Sequence, residues 1–272
     1  MLGPDEVRAA LRRHGLDPRR SLGQNFVVDP ATVESIAELA GAGPGDRVVE
    51  IGPGLGSLTL ALQATGASVL AVEKDRTLVP VLRDVLAARG AEDVELVLAD
   101  ALEVDWQELL GSRDPGTWKL VANLPYNVAV PLVMGVLRDA PMVEQLVVMV
   151  QREVAERLAA GPGGRVVGVP SIKVAWYAHA EVLRLVPPEV FVPQPRVESA
   201  VIAITRRRPP SDAVAPEQVF PLVERAYRQR RKMLRATLGG VLEPADFERA
   251  GVAPTARPEE LSVADWTALA GG

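Results

Sequence analysis

The chain has 272 residues, 48% of them hydrophobic and 24% charged, which is long enough for one large domain with an appendage and a substantial core. Its formal net charge of -5 gives no global attraction to nucleic acid, so any such binding must rest on local basic patches. The absence of cysteine excludes disulfides and thiolate chemistry, and two well-separated histidines, His14 and His179, leave little for a histidine metal site or a Ser-His-Asp triad.

No run of about 18 apolar residues occurs, and the first residues lack the basic, apolar and small-residue sections of a secretory leader. A cytoplasmic protein without a membrane segment is expected. Along the chain, strands are predicted at 47–51 (R-V-V-E-I), 68–72 (S-V-L-A-V), 94–98 (V-E-L-V-L), 119–122 (K-L-V-A) and 146–150 (L-V-V-M-V). Each is short and rich in Val and Leu, and the segments between them are long enough for helices, the pattern of a doubly wound parallel sheet in an α/β fold. Two further apolar stretches, 171–177 and 199–205, have little helical sequence between them and predict an antiparallel edge pair, for seven strands in all. After R-R-R-P-P at 206–210 the pattern turns helical from Glu217 on, with breaks at Gly239-Gly240 and Pro254. The expected division is a catalytic domain over 1–210 and a small helical domain over 211–272.

The first chemical signal is E-I-G-P-G-L-G at 50–56, between a predicted strand and the helical run S-L-T-L-A-L. Glycines there let the backbone turn sharply and a ligand approach, beside the free N–H groups of a helix start. The spacing G-x-G-x-G departs from the dinucleotide fingerprint, and a structural turn uses the same residues. Its neighbours add to it. Glu73 ends the second strand, where a carboxylate can accept both ribose hydroxyls of a nucleoside, and Asp100 ends the third, where it can accept from an adenine amino group. Either acid alone is more often a helix cap or a solvated charge. Together, without a phosphate-binding lysine motif, they favour adenosine and make S-adenosylmethionine the leading candidate.

The fourth strand ends in N-L-P-Y-N at 123–127, on the rim of the same crevice. Pro125 offers no N–H, so the Leu124 carbonyl can face the pocket without a competing donor, and the Asn123 side-chain oxygen supplies a second acceptor. Two acceptors suit an exocyclic amine with its two N–H donors, and Tyr126 can stack on the attached base. Ordinary turns also use such sequences.

E-I-G-P-G-L-G, the two acidic strand ends, N-L-P-Y-N, L-G-Q-N-F at 22–26 and F-V-P-Q-P-R-V-E-S-A-V at 191–201 together resemble the ribosomal RNA adenine N6-dimethyltransferase family, from about Leu22 to Leu238. The resemblance implies a Rossmann-like class I S-adenosylmethionine-dependent methyltransferase fold. It implies that Gln24, Asn25 and Val27 cover the cofactor and that Gly52, Gly54, Glu73, Lys74, Asp100, Ala101 and Asn123 contact it. Its small-subunit branch, which makes two adjacent dimethyladenosines near the 3′ end of 16S rRNA, is the nearer match. The large-subunit resistance branch and a non-catalytic assembly factor are the alternatives.

Reaching an adenine amine requires an unstacked base held between flat surfaces. Tyr126 is one face and Phe191, stiffened by Pro193 and Pro195, the other; on its residues alone Phe191 is equally a core anchor, and the resemblance favours the site. RNA affinity is expected from basic surfaces. Residues 217–235 carry six basic and two acidic groups, with Arg228, Arg231, Lys232 and Arg235 at helical spacings, and Arg206, Arg207, Arg208, Arg19 and Arg20 add to them. The expected partner is 16S rRNA in the small subunit or its assembly intermediate, bound by a monomer, with no resident metal.

Overall fold

Strands whose two faces are both covered read as unbroken apolar runs, and five such runs build the centre of this fold. They are β2 (Arg47–Ile51), β3 (Ser68–Glu73), β4 (Glu95–Leu98), β5 (Trp118–Asn123) and β6 (Val143–Gln151). All adjacent pairs among them are parallel: β3 with β4, β2 with β3, β2 with β5, and β5 with β6. Helices α3 (Ser57–Ala64), α4 (Leu78–Ala88) and α5 (Ala129–Asp139) make crossovers. The computed structural model describes residues 1–19, 23–113 and 116–271, so Arg20 and Leu22 of the sequence reading lie outside the described residues.

The sheet order is β4-β3-β2-β5-β6-β9-β7, with β7 at Ala178–Val186 and β9 at Ser199–Arg206. β9 runs antiparallel to β6, from Gln145↔Thr205 to Gln151↔Ser199. The chain winds outward from β2 to β4 and then returns to place β5 on the other flank of β2, so the sheet has a switch point at the carboxyl ends of β2 and β5. The central residues Val48, Val49, Leu120, Val121 and Ala122 are fully buried, each large side chain contributing roughly 1.5–3 kcal/mol. A two-stranded ribbon pairs β1 (Phe26–Val27) with β8 (Phe191–Val192), and α1 (Pro4–Arg13) and α2 (Pro30–Leu39) complete the amino-terminal region.

The main sheet has seven strands as expected, but one is a different segment. Residues 171–177 form part of helix α7 (Val169–Tyr177), and the edge strand is the following Ala178–Val186. The apolar composition of 171–177 suggested a strand, yet Pro170 starts a helix and Ile172 and Trp176, four apart, enter one core. Tertiary burial overrides the local propensity there.

The chain forms two compact units, Met1–Ala155 with Glu181–Thr205, and Glu156–Ala180 with Arg206–Gly272. This differs from the expected single division at 210. The second unit takes α7 as well as α8 (Pro216–Tyr227), α9 (Leu234–Thr237), α10 (Pro244–Ala250) and α11 (Val263–Ala270). Val167, Ile172 and Trp176 share its core with Val223, Leu234, Phe247 and Trp266, so the helical unit borrows a segment that precedes β7. The expected continuous basic helix is also broken: α8 ends at Tyr227, residues 228–232 are turns, and α9 starts at Leu234. Its first N–H groups bond instead to the 254–256 loop, Leu234 to the Ala256 carbonyl at 2.8 Å and Arg235 to the Pro254 carbonyl at 3.0 Å. No helix among the described residues is long and apolar enough to cross a membrane.

Candidate active site

Four neighbouring strands, β4, β3, β2 and β5, end along one cleft at the switch point, and the loops that leave them line it. From β2 comes the turn 52–56, in which Gly52 and Gly54 adopt positive φ of 67° and 58°. A Cβ on Gly54 would stand 3.0 Å from Phe26 Cε1, so glycine there admits both the left-handed turn and the ring of β1.

β3 delivers Glu73, whose Oε2 accepts from the Gly54 N–H at 3.2 Å and whose Oε1 accepts from the Asp75 N–H at 2.7 Å. Burial raises its pKa, against those N–H bonds. A carboxylate has about four lone-pair positions, so capacity remains for ribose hydroxyls. Beyond β4, Asp100 accepts from the Leu102 N–H at 3.0 Å and pairs with the exposed Lys74 ammonium. Burial opposes the ionisation of Asp100, but Lys74 and the Leu102 N–H outweigh it and hold the pKa below the ordinary carboxylate value.

β5 delivers Asn123. Its Nδ2 donates to the Asn25 backbone carbonyl at 3.1 Å, which leaves Oδ1 as the acceptor for a ligand. Leu124 is anchored by its N–H on the Met149 carbonyl at 3.0 Å, and Tyr126, half-buried, places its hydroxyl 2.8 Å from Ser199 Oγ. Burial raises the Tyr126 pKa, so the phenol stays protonated at neutral pH.

Gln24, Asn25, Val27, Gly52, Gly54, Glu73, Lys74, Asp100, Ala101, Asn123, Leu124, Pro125 and Tyr126 all line this one cleft. Phe191, expected as the second stacking face, does not. It is 2% exposed and packs in the sheet core, because the ribbon register Val27↔Phe191 sets it against β1. Of the expected RNA contacts, Arg207 has its guanidinium on the Ala175 carbonyl, and Arg206 is partly buried, which lowers its pKa. Arg208, Arg228, Arg231, Lys232 and Arg235 are exposed.

Other residues of the cleft escaped the sequence reading, among them Phe26, Asp75 and Glu50. Phe26 was within a quoted motif, but only the fold brings its ring to Gly54. Asp75 lies two residues past Glu73, and its role depends on Gln24, 51 residues away, which donates to it at 2.9 Å. Glu50 is 1% exposed, its Oε2 has no hydrogen-bond partner among the described residues, and burial, with Glu73 adding to it, pushes its pKa up to about 8.

This cleft and sheet define the class: a Rossmann-like S-adenosylmethionine-dependent methyltransferase. The glycine cradle and the carboxylate at the end of β3, with acceptor capacity to spare, suit a ligand carrying a ribose. The sequence model of ribosomal RNA adenine dimethylase matches residues 15–271, and the chain belongs to that family. Its methyl donor is S-adenosylmethionine and its acceptor is adenine in ribosomal RNA.

Relatives named ribosomal RNA small subunit methyltransferase A include one from Kineococcus radiotolerans, 49% identical over 99% of this chain and 91% of its own length. Another, from Cutibacterium acnes, is 47% identical over 97% of this chain and 92% of its own. Among solved structures, the 23S rRNA methyltransferase ErmE is 27% identical with a TM-score of 0.70, over 90% of this chain and 98% of that one. A dimethyladenosine transferase from Plasmodium falciparum shares the fold, with a TM-score of 0.76 at 21% identity over 89% of this chain and 94% of that one.

Proposed function

We propose that the chain dimethylates the N6 amines of two adjacent adenosines near the 3′ end of 16S rRNA, in the small ribosomal subunit or its assembly intermediate. Small-subunit enzymes of 41–49% identity over nearly the whole chain favour this target over large-subunit RNA. A ribosomal RNA substrate favours the cytoplasm, and a monomer is the proposed working state.

The observation that carries the reading is the Asn123 amide, held by Asn25 with its oxygen left to accept, in the same cleft as Glu73 and Asp100. S-Adenosylmethionine, when bound, supplies a methyl group activated on a sulfonium. Glu73 would hold the ribose hydroxyls, Asp100 the adenine amine of the cofactor, and the Gly52–Gly54 turn its close approach. Gln24, Asn25, Val27, Lys74 and Ala101 would enclose it.

The target adenine amine is a poor nucleophile because its lone pair is delocalised into the ring. Asn123 Oδ1 and the Leu124 carbonyl would accept its two N–H bonds, favouring a more tetrahedral nitrogen aligned for in-line transfer. Pro125 leaves that carbonyl without a competing N–H, and Tyr126 would stack on the flipped base. The methylated nitrogen becomes strongly acidic, so it can lose its proton afterwards without a strong base. Arg208, Arg228, Arg231, Lys232 and Arg235 would bind RNA phosphates, with Arg206 and Arg207 beside them.

The test offers labelled S-adenosylmethionine with undermethylated small subunits, large subunits and naked rRNA, and maps the product by mass spectrometry. Dimethyladenosine pairs in 16S rRNA support the assignment, whereas modification of large-subunit RNA alone would transfer the chain to the other branch.

A further inference from the structure

Tyr126 and Ser199 are 73 residues apart in sequence and 2.8 Å apart between their oxygens. Tyr126 lies in the irregular stretch between β5 and α5, where no strand or helix sets its ring. Ser199 is fixed: it is 0% exposed, begins β9 and stands opposite Gln151 in the β6/β9 register. The pairing extends one step further, with the Arg152 N–H on the Glu198 carbonyl at 3.0 Å. Ala200, the next residue, is equally buried without a hydroxyl, so strand formation does not demand serine at 199. A hydroxyl at that depth needs a partner, and Tyr126 supplies it.

We propose that Ser199 is a positioning residue that pins the Tyr126 ring to the sheet and thereby governs completion of the second methyl transfer. The inference rests on the reading above that Tyr126 stacks on the target adenine. A tyrosine ring anchored only at its Cα in a loop can tilt about two side-chain torsions. Pinning the far end to β9 gives a two-point mount. The unmodified amine has two N–H bonds for the two acceptors of N-L-P-Y. The first methyl replaces one of these hydrogens, so the monomethylated base keeps one such bond and depends more on the stacking face. A loosened ring therefore slows the second transfer more than the first.

The test follows N6-monomethyl- and N6,N6-dimethyladenosine with time on undermethylated small subunits, using the full chain. Ser199→Ala is expected to slow the first transfer no more than about threefold and the second about tenfold, a barrier change of about 1.4 kcal/mol, so that the monomethyl product accumulates. Tyr126→Phe deletes the same bond from the half-buried side and should give the same product ratio, even if Ser199 variants fold poorly. The double variant should be no worse than either single, and Ser199→Thr should restore the ratio.

Equal slowing of both steps, or additive losses in the double variant, would overturn the inference. Tyr126→Leu separates the two levels. If it is inactive while Ser199→Ala and Tyr126→Phe keep the wild-type ratio, the pinning fails and stacking stands; if it works like wild type, the stacking reading fails and the inference with it.

Discussion

Gln24 donates through Nε2 to Asp75 Oδ2 at 2.9 Å, and so ties the segment before β1 to the loop after β3. The Gln24 side chain also accepts from the Arg19 N–H at 2.8 Å, and Asp75 Oδ1 takes the Thr77 N–H and hydroxyl at 3.0 and 2.7 Å. On the other side of the cleft, Asn123 holds the Asn25 carbonyl. One segment is thus clasped by the strand end proposed for the ribose and by the strand end proposed for the target amine. Burial opposes the ionisation of Asp75, but Thr77, Gln24 and Arg19 together lower its pKa, so it clasps as a carboxylate at neutral pH.

Asp75→Ala should therefore weaken cofactor binding about tenfold, a cost of about 1.4 kcal/mol in line with loss of a charged hydrogen bond. Calorimetric titration with S-adenosylmethionine checks it. An unchanged affinity would show that the clasp does not support the cofactor side.

Gly23 occupies the same segment at φ +65°, where an added Cβ would meet Pro125 Cβ at 3.0 Å and Asn127 Oδ1 at 3.3 Å. Gly23→Ala costs roughly 1–2 kcal/mol for the left-handed backbone alone and presses on N-L-P-Y-N. The expected outcome is a melting temperature lower by about 2–6 °C and a kcat reduced more than the cofactor affinity. Loss of cofactor affinity with kcat intact would place the pressure elsewhere.

Glu50 predicts a pH dependence of stability. Burial raises its folded pKa from 4.5 to about 8, so the fold favours the neutral acid. The stabilisation is complete below the unfolded value and is lost as pH rises through about 8. Glu50→Gln should flatten that decline and exceed wild type by roughly 2–5 kcal/mol at pH 9 while matching it near pH 5. Thermal melts from pH 5 to 9 read this directly; parallel curves for the two proteins would refute it.

In the helical unit, Arg231 and Lys232 are exposed in the turns after α8. Replacing either by Ala should lower the slope of log affinity against log salt by about 0.7–0.9 for a lost phosphate contact, leaving cofactor affinity unchanged. Filter binding of small-subunit RNA over a salt series tests it, and an unaltered slope would remove the residue from the interface.

Much of the cleft was legible in the sequence because it is built from strand ends. Short apolar runs mark parallel strands, and the residues that follow them, Gly52, Glu73, Asp100 and Asn123, gather wherever such strands lie side by side. The hidden features depend on distant packing. Residues 171–177 look like a strand until Trp176 and Ile172 find the helical core, and Phe191 looks available for stacking until β1 covers it. The spacing of Arg228 and Arg235 promised one helix face, but the 254–256 loop captures the N–H groups that start α9 and breaks it. Asp75 and Ser199 gain their parts from partners 51 and 73 residues away.

The central claim is that the Asn123 oxygen orients the reacting amine. Single-turnover methyl transfer on undermethylated small subunits, wild type against Asn123→Ala, tests it most directly. The account predicts a loss of about 10²–10³-fold in the transfer rate at saturating cofactor, as for removal of a pre-organised polar group at a reacting centre. A variant that transfers methyl groups at the wild-type rate would contradict it.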